Sequence, residues 1–258
     1  MPFYHLYQMN RNTSKRHERR CLIMVESNRR RSLTHFFKKP ALLLFTLTLI
    51  PAGHLYGHPP EGEVFLYFTH SEEAYGDEST VMDAGDMIKK ELAKEGVHAE
   101  LDRTDVIQKL LEQNTPYGRA YEKSREILIP VILSHRQPVT LLDIHRDAVG
   151  LSVSTVTIHD EPYARVAFVI GRDQPGYEKN LGFAREMVSK LESASPGITR
   201  GIILKSGADT DGRFNQDLSD HSLLLEFGGV DNSTDEIERS ARAFSKAYAD
   251  YLDGGTKR

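Results

Sequence analysis

Along residues 63–252 the apolar positions follow two alternating rhythms. Continuous apolar runs recur as EVFLYFTH (63–70), VHAEL (97–101), VTLLDIH (139–145), ARVAFVIG (164–171), GIILK (201–205) and HSLLLEFGG (221–229). Runs this short, rich in β-branched and aromatic residues, are the pattern of strands buried on both faces. Between them the apolar residues space out at intervals of three and four. Val81, Ala84, Ile88 and Leu92 share one helical face closed by Gly96, and Leu181, Ala184, Val188 and Leu191 share another. Tyr117, Tyr121, Ser124, Leu128 and Val131 also fall at helical spacing, with Pro130 expected to kink or shorten that helix. Ser233-x-x-Glu236 predicts a capping box for a last helix, with Ile237, Ala241, Phe244, Tyr248 and Tyr251 facing inward. The alternation predicts an α/β domain, a mostly parallel sheet covered by helices on both faces. SVSTVTIHDEPYAR (152–165) breaks the rhythm and reads as a small hairpin insertion with its turn around His159–Pro162.

Charge divides the 258-residue chain. Residues 1–39 hold ten Lys or Arg against Glu18 and Glu26, whereas the remainder is acidic, so the whole-chain net charge of −4 describes neither part. The basic block leads into PALLLFTLTLIPAGHLYG, apolar from about Ala41 to Ala52. A positive flank before a short apolar core is the layout of a signal peptide or signal-anchor, its basic side held in the cytoplasm. The expected organisation is a basic cytoplasmic segment (1–39), a signal-anchor or signal peptide (40–56), a short linker (57–63) and a catalytic domain (64–254) outside the cytoplasm. The apolar run is shorter than the ~18–20 residues of a comfortable spanning helix. No clear small-x-small cleavage site follows, so an uncleaved anchor is favoured. A nucleic-acid-binding tail would explain the arginines but not the adjoining leucines. The one cysteine, Cys21, lies in the basic segment, which excludes a disulfide framework.

The strand ends hold the chemistry. LLDIHRDAVG (141–150) runs from apolar residues straight into Asp143, His145, Arg146 and Asp147. His70 ends the first strand and Glu226 sits near the end of the last. Ligands of open parallel sheets collect outside the carboxyl ends of the strands, so parallel strands would bring all three to one edge. Two histidines and a carboxylate suit Zn²⁺, whose hydrolytic sites keep one position for water. Glu73, three residues after His70, is the nearest candidate for the third ligand, in competition with Glu72, Asp77 and Glu78. Glu226 suits the non-ligating acid that takes a proton from water and returns it to a leaving amine. Each residue also has a plainer reading: a solvated strand-end histidine, or a Glu226 paired with Arg146 or Arg165. No G-x-G-x-x-G or P-loop follows any strand, which disfavours a nucleotide-binding domain.

YFTHSEEAY, AYEKSR (120–125), LLDIHRDA, ARVAFVIG and RFNQDLSDHSLLLEFGG with NSTDE after it occur in that order. On these motifs the chain, from about Val64 to Leu252, resembles the stage II sporulation protein P family, cell-wall hydrolases of endospore-forming bacteria. The resemblance implies an N-acetylmuramoyl-L-alanine amidase-like fold and zinc-dependent hydrolysis of peptidoglycan at the amide joining muramic acid to L-alanine. It also implies endopeptidase action on cross-links. The family's active-site His, His and Glu fall on His70, His145 and Glu226, and Glu73 matches a family carboxylate. Implied partners are sporulation proteins D and M, acting in engulfment at the membrane. Arg146 or Arg125 would grip substrate carboxylates or steady developing negative charge. The rival expectation is a wall-binding scaffold that keeps the fold without the chemistry. The basic segment is long for the family, and Met24 is an alternative start.

Overall fold

The computed structural model describes residues 63–76, 79–136, 139–208 and 210–256. The basic segment, the signal-anchor and the linker as far as residue 62 lie outside the described residues. No helix among the described residues is long and apolar enough to cross a membrane.

All but one of the apolar runs are strands in one six-stranded sheet, and the remaining one, VHAEL, contributes its second half to the same sheet. The order is β2 (Ala99–Leu101), β1 (Val64–Tyr67), β3 (Thr140–Asp147), β8 (Ser222–Gly229), β6 (Val166–Gly171) and β7 (Thr199–Lys205). The first four run parallel, whereas β6 is antiparallel to β8 and parallel to β7. The reversal follows from the insertion. Between β3 and β6 the chain makes only the short helix α4 (Leu151–Ser154) and the hairpin of β4 (Thr155–Ile158) and β5 (Glu161–Ala164). With no long helix to carry it back across the sheet, β6 starts at the edge where β3 ends and runs the other way. The hairpin turns at His159 and Asp160, both left-handed (φ 51° and 65°), as a tight two-residue hairpin turn requires.

Alternation along the strands separates the two faces. Leu66, Phe68, Ile144, Phe168, Leu225 and Phe227 face the main core with α1 (Val81–Lys94), α5 (Tyr177–Ala194) and α6 (Thr234–Thr256). Each such fully buried side chain contributes ~1.5–3 kcal/mol. Phe65, Tyr67 and Leu141 face the other way, against Leu128 of α3 (Ala120–Ser134). On that second face the rows continue, beyond the apolar residues, into Thr69, Asp143, His145 and Glu226.

The predicted capping box forms as the sequence suggests. At α6 the Ser233 N–H donates to Glu236 Oε2 (2.8 Å), and Glu236 Oε1 also accepts from Thr155 Oγ1 (2.7 Å), tying the helix start to the hairpin. Two elements differ from expectation. Pro130 does not shorten α3: it lies on the exposed side, and the helix runs on to Ser134. Tyr117 is not on the inner face of that helix but in a separate 3₁₀ turn, Tyr117–Arg119, and is 52% exposed. A seven-residue helix, α2 (Val106–Glu112), was not evident in the sequence; Asp105 caps it, and Val106 and Leu110 pack near Ala120.

α1 lies so close to the sheet that a Cβ added at Gly85 would stand 2.4 Å from Cζ of the buried Phe68. Gly85→Val should therefore lower stability by ~1–3 kcal/mol despite a better helix former. The denaturant midpoint reads this directly, and an unchanged midpoint would contradict the packing described.

Candidate active site

A tight turn places the first two groups. Beyond β1 the Glu73 N–H donates to the His70 carbonyl (3.1 Å), so the two side chains emerge side by side. Ser71 pins the turn: its hydroxyl donates to Asp105 Oδ1 (2.7 Å) and accepts from the Ile107 N–H (3.2 Å) at the start of α2. β3, the neighbour of β1, delivers His145 to the same edge. Nδ1 of His70 lies 3.8 Å from Glu73 Oε1, and Nδ1 of His145 lies 3.5 Å from Glu73 Oε2. One donor atom from each of the three residues falls within 4.8 Å of the others. Ligands of a tetrahedral zinc, ~2.0–2.2 Å from the ion, stand ~3.4 Å apart. The donor set and its spacing therefore fit such an ion. Glu72 is exposed and bonded to Tyr117, whereas Asp77 and Glu78 lie outside the described residues.

Asp143, two residues before His145 on the same face, supports the imidazole from behind. Its Oδ1 is 3.0 Å from His145 Nε2, although the N–H direction is too oblique for a hydrogen bond. The Asp143 carboxylate accepts from the Thr69 N–H (2.9 Å) and the Thr69 hydroxyl (2.7 Å). Ser124 and Asn215 extend the network, with Thr69 Oγ1 to Ser124 Oγ at 2.9 Å and Asn215 Nδ2 to Ser124 Oγ at 3.0 Å. Asp143 thus stands at Nε2 and Glu73 at Nδ1, the arrangement by which a carboxylate orients a metal-binding histidine.

Electrostatics reflect this crowding. Burial works to lower His145, but Asp143 and then Glu73 drive its proton affinity well above the ordinary imidazole range. Burial works to raise Glu73, but the two imidazoles beside it, helped by the Arg146 N–H (2.9 Å), hold its carboxyl at about 2. Glu226 behaves oppositely. It is the direct register partner of His145 on β8, its Oε2 is buried with no hydrogen-bond partner, and burial pushes its carboxyl up to about 7. His145 and Arg200 partly counter that rise, while Glu73 and Asp147 add to it.

The two expected substrate-gripping arginines are both engaged within the protein. Arg125 makes a two-pronged pair with Asp217 (2.8 Å each) and reaches Asn215 Oδ1 at 3.3 Å. Arg146 turns back to give its Nε–H to the Ala74 carbonyl (2.7 Å). Residues given no role in the site by the sequence complete the walls. Tyr117 stacks on His70 (ring centroids 5.1 Å apart), Tyr121 meets it edge-on at 5.6 Å, and Arg200 pairs with Asp147. Strand alternation carried a signal for Asp143, since i and i+2 share a face. Nothing local marks Arg200, whose position depends on the reversal of β7.

Glu226 gives a pH-dependent prediction for the metal-free protein. Its folded value lies above the ordinary 4.5, so its contribution to stability is full below that value and is lost as pH rises through 7. Glu226→Gln should change little near pH 4 and stabilise the chelator-treated protein by on the order of 2–3 kcal/mol near pH 8. Melting of both proteins across that range tests it; a difference independent of pH would contradict the burial of Glu226.

Comparison with known proteins bears out the family resemblance of the sequence. The family model described as Stage II sporulation protein P matches residues 10–249. The Stage II sporulation protein P of Bacillus subtilis (strain 168) is 36% identical over 205 residues, covering 72% of this chain and 51% of the relative. The chain thus spans about half the length of that relative. Two solved structures are more distantly similar. Cwp6 from Clostridium difficile is 13% identical with a TM-score of 0.45, over 74% of this chain and 29% of that one. A metallo-carboxypeptidase from Burkholderia cenocepacia is 12% identical with a TM-score of 0.45, over 77% of this chain and 60% of that one. Likenesses this loose bear on neither fold nor function. Sequence identity and the extent of the family match carry the assignment: the chain belongs to the stage II sporulation protein P family.

Proposed function

We propose that the chain is a zinc-dependent peptidoglycan hydrolase, an N-acetylmuramoyl-L-alanine amidase held at the membrane and acting in sporulation. The observation that carries this reading is Glu226, a half-buried carboxylate with one buried, unsatisfied oxygen and a proton affinity near neutrality, in register with His145 of the His70–Glu73–His145 group. Cleavage of stem-peptide cross-links, work beside sporulation proteins D and M in engulfment, and attachment through residues 40–56 belong to the same reading. Family membership supports them.

His70, Glu73 and His145 would hold the ion. Bound zinc supplies Lewis acidity and lowers the pKa of water towards ~7. The chain's own residues do the rest. Asp143 orients His145 so that Nδ1 faces Glu73 and the centre of the group. Glu226 takes the proton of the attacking water. It then delivers that proton to the amide nitrogen as the carbon–nitrogen bond breaks, which releases the peptide as an amine. An affinity near neutrality suits a group that must both accept and return a proton.

Purified sacculi digested with the full chain, followed by mass analysis, should release free stem peptides. Glu226→Gln, which keeps shape and loses the base, should reduce release by ~10²–10⁴-fold. Undiminished release would remove Glu226 from the reaction. Sacculi that bind the protein but yield no fragments would favour the wall-binding scaffold.

A further inference from the structure

We propose that Arg200 is the substrate-binding residue that recognises a carboxylate on the peptide side of the scissile amide, the α-carboxylate of the second stem residue. The inference rests on the hydrolase reading above and gives the substrate a direction across the site.

The argument starts from the sheet. Strand order sets His70 after β1, His145 on β3 and Glu226 on β8 in sequence along one edge, and beyond them come β6 and β7. Because β7 is reversed, its beginning lies at the edge where the parallel strands end, which brings Arg200 there. The register continues the row: Glu226 is opposite Ala167, and Ala167 is opposite Gly201. Neither small residue has a side chain beyond Cβ to stand between Glu226 and β7. Arg200 is the extra residue where the β6–β7 register shifts, next to Gly201 with its φ of 77°. From this bulge its guanidinium reaches back to Asp147 at the end of β3, close enough to Glu226 to act on its charge.

Arg200 differs from the other arginines at this edge in holding a buried N–H without an acceptor. Arg125 spends its guanidinium on Asp217, and Arg146 gives its Nε–H to Ala74. Arg165 bonds three carbonyls, those of Gly197, Val153 and Thr199. The Arg200 side chain is only 9% exposed, and its Nε–H has no acceptor. A buried donor on a cation, held near Glu226 and left unpaired, is a strong site for a carboxylate.

The opposite flank differs in kind. There Tyr117 stacks on His70, with Tyr121 beside it, an aromatic wall next to the first strand. A muramoyl peptide has the matching polarity, an uncharged sugar on one side of the amide and a peptide bearing carboxylates on the other. Sugar against the tyrosines and peptide towards β6 and β7 is the orientation that pairs like with like. The reach is consistent: β7 stands two strand spacings, ~9.6 Å, from β8, and the Arg200 guanidinium, turned back to Asp147, covers what two extended residues of up to ~7 Å leave.

The test compares two muramoyl peptides that differ only in the second residue, D-isoglutamate or its uncharged D-isoglutamine form. The full-length wild-type chain should show a kcat/KM about 10- to 100-fold higher for the carboxylate. Arg200→Gln should bring the ratio close to one, and Arg200→Lys should keep part of it. Equal rates in the wild type would overturn the inference without any variant having to fold. So would a ratio that Arg200→Gln leaves unchanged. Cleavage of neither peptide would instead overturn the amidase reading, so the two failures are distinct.

Discussion

Asp143 and Glu73 close on opposite nitrogens of His145 at a point where the side chain is only 3% exposed. Two carboxylates so close together in a setting poor in water are tolerable only with positive charge between them. In the metal-free chain a proton on His145 provides it, which is why that imidazole holds its proton so firmly. A divalent cation bound by His70, Glu73 and His145 would provide it better. The rest of the site follows from this need. Thr69, Ser124 and Asn215 fix Asp143, the Arg146 N–H steadies Glu73, and Glu226 is left beside them without a bonding partner for one oxygen.

The fold serves this arrangement by asymmetry. One face of the sheet carries three long helices and most of the apolar packing. The other is covered chiefly by α3, with α2 beside it, and can end in polar residues at the edge. Three adjacent parallel strands, β1, β3 and β8, bring their contributions together without a long loop. Close packing after β8 keeps the edge in place: a Cβ at Gly229 would stand 2.2 Å from the Val149 carbonyl. Gly229 therefore answers to backbone approach, and Gly228 before it to its left-handed φ of 81°.

Much of this was legible in the sequence, and for physical reasons. Buried strands announce themselves as apolar runs, so a polar residue ending such a run stands out, as His70, His145 and Glu226 do. Parallel packing of strands separated by helices then fixes the edge. What stayed hidden depended on long-range geometry. The reversal of β6 and β7 needed knowledge that the insertion carries the chain no distance across the sheet, and Arg200 became part of the edge only through that reversal. Tyr117 sat at helical spacing and suggested core, but the chain before α3 forms a 3₁₀ turn that presents its ring to His70 instead. Arg125 and Arg146 were legible as candidates, but their partners within the protein, Asp217 for Arg125 and the Ala74 carbonyl for Arg146, come from distant segments that no local pattern connects.

Metal content is the most direct test of the central claim. The full chain, stripped and then saturated with metal, should retain one zinc, with X-ray absorption showing two imidazole nitrogens and carboxylate oxygen around it. His145→Ala should abolish that retention. A folded chain that takes up no zinc at saturation, or one whose uptake survives the loss of His70, Glu73 and His145 in turn, would contradict the account.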